Sequence, residues 1–505
     1  MTGTESGAVV SVATDAQPDA GTGPGTGPVT GAGTGPGTGS GTGTGKGSGT
    51  GKSAGTCTVG VTEAGGGDRA GARPTVIASP AIERLAARLA AAPAGEHSAL
   101  VEEFWAAVRR GGTPLVEALQ DAPGHRAVTF LWRGHRATRQ VLLVANRIGD
   151  REHLAGSLFT HLTGTDVWHL SYRLRGDHRA SYQIAADISP GELPSDPGGV
   201  QRRLRALSAH AAADPLNTDS VPARWKPARS SVFALPEAPA QPWHGRRAGI
   251  ARGTVERHRI PSAALGCERD VWGYLPPGRD HADLPVLALC DGDMWFGGLR
   301  LQETLDALIA DGRVPPFAVL APDAVDNPTR WGELGGRDEY VAFLADEVLP
   351  WASERLPLTA DPARTVLAGQ SLGGVSALYA GLRRPDRFGN VLAHSASLWW
   401  RPGLAPGIPE QSMSGTPWIA GLYAETRRPP LRVRLDVGLH EGPMVGQHRA
   451  LCEVLRSRGH DVTHTEFNGG HDYVCWRGAL ADGLVATLGN GDGPMASGRD
   501  TDDGH

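Results

Sequence analysis

Gly369-Gln370-Ser371-Leu372-Gly373 pairs a nucleophilic hydroxyl with glycines at the spacing of a nucleophile elbow. The glycines let a strand turn sharply into a helix, lifting the Ser371 hydroxyl out of the sheet. The helix N-terminus beneath it favours developing negative charge. In a chain with 70 glycines the bare pattern means little. Its context is informative: an apolar run, VLA, precedes it and a helical pattern, SALYAGL, follows it.

A serine hydroxyl needs a base. Among 18 histidines, His471 in FNGGHDYVCWRG follows the last expected strand in a Gly-containing loop, where a base can reach over the sheet edge. His440, His448, His460 and His464 are its rivals, and His448 and His460 fall on or beside a helix and read as solvent-facing. The base needs a carboxylate to hold its tautomer and stabilise the imidazolium. Glu441, just beyond the strand LRVRLDVG, is preferred. Asp436 lies inside that strand, where an isolated carboxylate is costly to bury, and Asp472 reads as a loop cap. An oxyanion hole follows from the backbone N–H of Leu372 and one from Gly292 or Asp293 in CDGDMWF.

The elements that position these residues begin after residue 250. The GTVERHRI and RDVWGYLPPG runs predict two leading antiparallel strands. LPVLALCDGD, FAVLAPDAVD, RTVLAGQ, NVLAHSASLWW, LRVRLDVGLHE and DVTHTEF predict further strands, separated by amphipathic helical runs. This alternation predicts an open, mostly parallel sheet covered on both faces, with its site at the carboxyl ends of the strands. With the order nucleophile, acid, base, it predicts an α/β-hydrolase catalytic domain over residues 246–492.

Before it, SPAIERLAARLAAAP and ALVEEFWAAVRR predict helices, and four short β-rich runs follow from residue 127. These predict a small β-sandwich (immunoglobulin-like) cap domain over 79–245, with 196–245 as a Pro- and Arg-rich linker packed on the surface. Residues 21–53 are Gly/Thr-rich and predict, with their flanks, a disordered tail over 1–78; 493–505 reads as a disordered C-terminus. The tail ends in GTGKS, but Lys46 stands where a phosphate loop needs its first glycine.

The chain has 505 residues, a formal charge of -5 and 40% hydrophobic residues, enough for two cores and without the basic bias of a nucleic-acid binder. No apolar stretch reaches membrane-spanning length, and no signal-peptide pattern opens the sequence. Five scattered cysteines without a CxxC pair suit a reducing cytoplasm. No H-E-x-x-H or compact zinc spacing occurs, so neither a metal nor another cofactor is expected.

DGDMWF, DAVDNPTRWGEL, AGQSLGGVSALYAGLRRPDRFGNVLAHSASLWW and NGGHDYVCWRGAL carry a resemblance. With GTDVWHLSYRL, RASYQI and ADPLNTDS in the N-terminal half, the chain resembles the enterochelin esterases over residues 100–490. The resemblance implies hydrolysis of the ester bonds of a macrocyclic triserine lactone bearing three catecholates, iron-loaded or free, inside the cell. Iron would enter only within the substrate. It places the triad on Ser371, Glu441 and His471, since GLHEGPM resembles the family's acid segment, and a substrate-side arginine on Arg330. Such a substrate carries several negative charges, which Arg330 could bind in a bidentate contact; pairing with Glu333 is the alternative. Trp295 and Trp399, near the expected mouth, could flank aromatic rings or simply pack. Competing readings are a feruloyl-type or general carboxylesterase, an acyltransferase, and a siderophore-binding module without turnover. The sequence leaves the oligomeric state open.

Overall fold

A computed structural model describes residues 73–405 and 415–489. The Gly/Thr-rich stretch and the expectations for 1–72 and 490–505 lie outside the described residues.

Residues 254–467 carry an eight-stranded sheet. Its order is Thr254–Ser262, Cys267–Leu275, Ala318–Pro322, Val286–Leu289, Thr365–Gln370, Asn390–His394, Arg432–Gly438 and Asp461–Phe467. The first two strands pair antiparallel with full nine-residue register, Thr254 opposite Leu275. From Ala318–Pro322 onward the pairing is parallel. The four central parallel strands, from Ala318–Pro322 to Asn390–His394, are buried at every position. Both faces are therefore covered, as their unbroken Val, Leu and Ala runs require. The helix Leu372–Arg383 lies on one face, within a core that includes Val375, Leu378, Leu367 and Val391. Tyr473–Leu488 covers the other face, where Leu480 and Leu484 meet Val366 and Leu392. Chain order reverses around Val286–Leu289, which lies between Ala318–Pro322 and Thr365–Gln370. Such a switch point opens a crevice at the strand ends. This is an α/β-hydrolase fold.

The N-terminal part has two antiparallel sheets. One orders Thr75–Val76, Val167–Arg175, His125–Arg133 and Leu115–Ala118, with Thr160–His161 also on Val167–Arg175. The other orders Gln140–Ala145, Arg179–Asp187, Arg229–Ala234 and Ser220–Pro222. Between them Phe130 meets Tyr182 edge-on at 4.8 Å, within a core that also holds Val128, Leu143, Ile184 and Phe233. Helices Pro80–Ala91 and His97–Gly111 close the outer side of the first sheet, where Trp105, Leu85 and Leu131 share a cluster.

Two sequence expectations are corrected. Thr75 and Val76, assigned to the tail, pair with Arg173 and Tyr172. Residues 196–245, assigned to a linker, contain the helix Pro197–Ser208, capped by Asp196, and two strands that complete the second sheet. Their arginines hid the pattern. Arg203 pairs with Asp187, and Arg229 donates to Ser220, so charges that suggested exposure tie the segment to the sheet.

Candidate active site

Ser371 joins the strand Thr365–Gln370 to the helix Leu372–Arg383 with φ 57 and ψ -122. A non-glycine residue rarely adopts this left-handed backbone, and such strain clusters at functional sites. The flanking glycines permit it. A Cβ on Gly369 would lie 2.3 Å from the Gly373 carbonyl oxygen, and one on Gly374 2.9 Å from Ala396 Cβ. Leu372 opens the helix, so its N–H has no acceptor within the helix.

His471 and Glu441 come together at the ends of the last two strands. His471 Nδ1 donates to Glu441 Oε2 at 2.6 Å. Glu441 is fully buried, and its other oxygen accepts from Ser395 Oγ at 2.5 Å and the Gly438 N–H at 2.8 Å. Burial alone would raise its carboxyl, but the His471 charge and these hydrogen bonds hold it below its ordinary value. Trp476 donates to Ser395 Oγ at 2.8 Å and presents its ring edge-on to His471 at 4.7 Å. With Nδ1 engaged, Nε2 is the nitrogen left to exchange a proton with substrate. Among the described residues no hydrogen bond joins His471 to Ser371. The Ser371 hydroxyl instead shares a 3.1 Å hydrogen bond with Ser397.

The alternative carboxylates have other work. Asp436 is buried but not isolated: it accepts from His394 Nδ1 at 3.0 Å and pairs with Arg434. Asp472 caps the helix Tyr473–Leu488. His448 and His460, read as solvent-facing, are both buried. The helix Pro443–Ser457 carries His448 inward to donate to the Met444 carbonyl, and His460, between that helix and the last strand, accepts from the Leu431 N–H.

Arg330, which the resemblance places on the substrate side, is held by protein groups. Its Nε and Nη2 each lie 2.8 Å from one oxygen of Asp291, and Nη2 also donates to the Gln370 carbonyl at 3.2 Å. Glu333 pairs instead with Arg269. Arg224, from the segment read as a linker, adds a second guanidinium to Asp291 at 2.9 Å and donates to Tyr473 Oη at 2.6 Å. Burial would raise the Asp291 carboxyl, but the two arginines hold it well below the carboxylate range. Gln370 donates to Asp291 and to Tyr473. A buried ionic network thus braces the residue before Ser371. Arg330 Nε and Nη2 are both engaged by this network.

Trp295, expected at the mouth, is fully buried. The wide helical turn Asp293–Gly298 directs it inward, where its indole donates to Gln370 at 3.2 Å and meets Tyr473 edge-on. Trp399 is half-buried and stacks on Trp331 at 6.0 Å, so it remains near the strand ends. Gly292 is boxed in: an added Cβ would lie 2.1 Å from the Ala321 carbonyl oxygen. The Asp293 carboxylate accepts from the Ala324 N–H at 3.2 Å and pairs with Arg224. Arg224, Asp291, Ser395, Ser397 and Tyr473 were missed by sequence reasoning. Only the DGD and HSAS runs beside strand ends hinted at any of them.

Among the described residues no cluster of three or more His, Cys, Asp or Glu could hold a metal ion, and no helix is long and apolar enough to cross a membrane.

Two family models match the chain, "Enterochelin esterase, N-terminal" over residues 127–244 and "Putative esterase" over 262–487. The iron(III) salmochelin esterase of Escherichia coli O6:H1 is 35% identical over 412 residues, covering 80% of this chain and 97% of that protein. The iron(III) enterobactin esterase of Dickeya dadantii is 35% identical over 452 residues, covering 82% and 98%. The enterobactin esterase of Shigella flexneri, crystallised in the presence of enterobactin, superimposes with a TM-score of 0.65 at 28% identity, covering 76% of this chain and 97% of that one. With both halves matched and the relatives spanned almost end to end, the chain belongs to the enterochelin esterase family and is an esterase.

Proposed function

We propose that this esterase hydrolyses the lactone ester bonds of a cyclic catecholate siderophore of the enterobactin type, iron-loaded or free, with Ser371 as nucleophile. The observation that carries the substrate class is the two-domain likeness to esterases named for iron(III) salmochelin and iron(III) enterobactin. Crystal structures of the Shigella flexneri relative obtained in the presence of enterobactin and of 2,3-dihydroxy-N-benzoyl-serine support the same class. The His471–Glu441 pair beside the Ser371 elbow supports the chemistry. The cytoplasm is the compartment this reading requires, since ring opening weakens chelation and lets iron go.

The reaction is acyl transfer in two steps. The Ser371 hydroxyl leaves Ser397 and turns to His471 Nε2. His471 takes its proton as Oγ attacks a lactone carbonyl. Glu441 stabilises the imidazolium. The N–H of Leu372 and one from Gly292 or Asp293 receive the oxyanion. His471 then protonates the departing seryl oxygen, leaving an acyl-enzyme. Water, deprotonated by the same histidine, releases the linear product. Trp399 is the remaining aromatic candidate for a catechol ring.

Mass spectrometry of products from iron-free and iron-loaded cyclic tris-catecholates tests this. The wild type yields linear seryl esters, and Ser371→Ala binds the ferric siderophore without cleaving it. Undiminished cleavage by Ser371→Ala overturns the assignment.

A further inference from the structure

The loop that carries His471 is held from the N-terminal sheets as well as from its own domain. Asn146, directly after the strand Gln140–Ala145, donates from Nδ2 to the His471 carbonyl at 2.7 Å. The Ser181 N–H, on the neighbouring strand Arg179–Asp187, donates to Asp472 Oδ2 at 2.7 Å. The Asn146 N–H in turn donates to the Ser181 carbonyl at 3.1 Å, so the two clamps are one unit.

The turn between Val167–Arg175 and Arg179–Asp187 holds the start of the same loop. Asn468 donates to Asp177 Oδ1 at 2.5 Å, which orients its amide. Its Oδ1 accepts from His178 at 3.1 Å and from His440, the residue before Glu441, at 2.9 Å. Gly470 fits closely: a Cβ there would lie 2.6 Å from Arg147 Cβ. The N-terminal sheets therefore touch the base loop at both ends and, through one shared amide, the turn of the acid.

We propose that the N-terminal domain positions the catalytic base, with Asn146 as the positioning residue that sets the His471 backbone for proton transfer. The proposal rests on His471 acting as base. Its physical ground is the steep dependence of proton transfer on placement: an error of about 1 Å costs on the order of 100-fold in rate. Between Gly469-Gly470 and Asp472 the loop has little stiffness of its own. The Asn146 bond acts on the backbone of the base itself.

The experiment uses the full chain and a cyclic tris-catecholate, with Asn146→Ala, Asn146→Asp and His471→Ala beside wild type. Asn146→Asp keeps the shape but sets an acceptor against the carbonyl. At a temperature where circular dichroism shows every variant folded, kcat falls about 10-fold in Asn146→Ala and about 100-fold in Asn146→Asp. KM and ferric siderophore binding stay within about twofold, because no substrate contact has been removed. Acylation and deacylation slow together in single turnovers, since one base serves both. A dead His471→Ala beside undiminished kcat in both Asn146 variants overturns the positioning role alone, even if their melting temperatures fall. An active His471→Ala overturns the base assignment and this proposal with it.

Discussion

Arg330 grips both oxygens of Asp291 at 2.8 Å beneath the residue that precedes Ser371. With Arg224 on the same carboxylate, Asp291 is a buried anion between two cations. Breaking such a pair from one side leaves an uncompensated charge and costs about 3–5 kcal/mol. Arg224 remains on Asp291, so Arg330→Met lowers the unfolding free energy measured by urea denaturation by at most about 3 kcal/mol, without a selective rise in KM. A variant that unfolds like wild type but binds siderophore 10-fold more weakly would return Arg330 to the substrate.

Glu441 and Asp436 are separable by substitution. Glu441→Gln keeps the size of the side chain but loses the charge that stabilises the His471 imidazolium. Loss of a triad carboxylate's charge costs roughly 10,000-fold in kcat. Asp436→Asn acts on the His394 and Arg434 pairings, so it lowers stability and leaves kcat within about threefold. Kinetics and urea denaturation of both variants decide the assignment; the reverse pattern makes Asp436 the acid.

Ser397 shares a hydrogen bond with the Ser371 hydroxyl, which the proposed mechanism transfers to His471. That hydrogen bond contributes about 1 kcal/mol at most and must be exchanged before attack. Ser397→Ala therefore keeps kcat at or above wild type, and a fluorophosphonate labels Ser371 at least as fast. A 100-fold loss of both rates would instead make Ser397 a participant in the chemistry.

Stability falls on acidification, beginning with buried histidines. Burial pushes His178 down to about 3 and His448 down to about 4. Unfolded, each titrates near about 6.5. Below that pH the unfolded chain binds protons that the folded chain refuses. Their stabilisation is thus full above about 6.5 and declines as pH falls towards the folded values. Glu441 and Asp291, both depressed, add a loss at lower pH, below the ordinary carboxylate range. Urea midpoints decrease from pH 7 to pH 4.5, and His448→Gln flattens the slope. A midpoint that does not change over this range contradicts the neutral, buried histidines.

Ser371 was legible in the sequence because its elbow is local: strand, turn and helix are contiguous, and glycines at 369 and 373 mark the close packing. His471 and Glu441 could be placed because each follows a strand, and the strands of a parallel sheet deliver their ends to one side. The N-terminal runs betrayed two sheets through β-rich segments broken by turn residues, although the arginines of 196–245 concealed a helix and two strands. Tertiary structure alone decided the partners of the polar groups. Arg224 meets Asp291 across 67 residues, Arg330 meets it across 39, and Asn146 reaches His471 across 325. An arginine reads the same in sequence whether it faces a substrate or a buried carboxylate. The choice depends on which charge the fold has already taken out of water, because a buried anion must be paired wherever its partners lie along the chain.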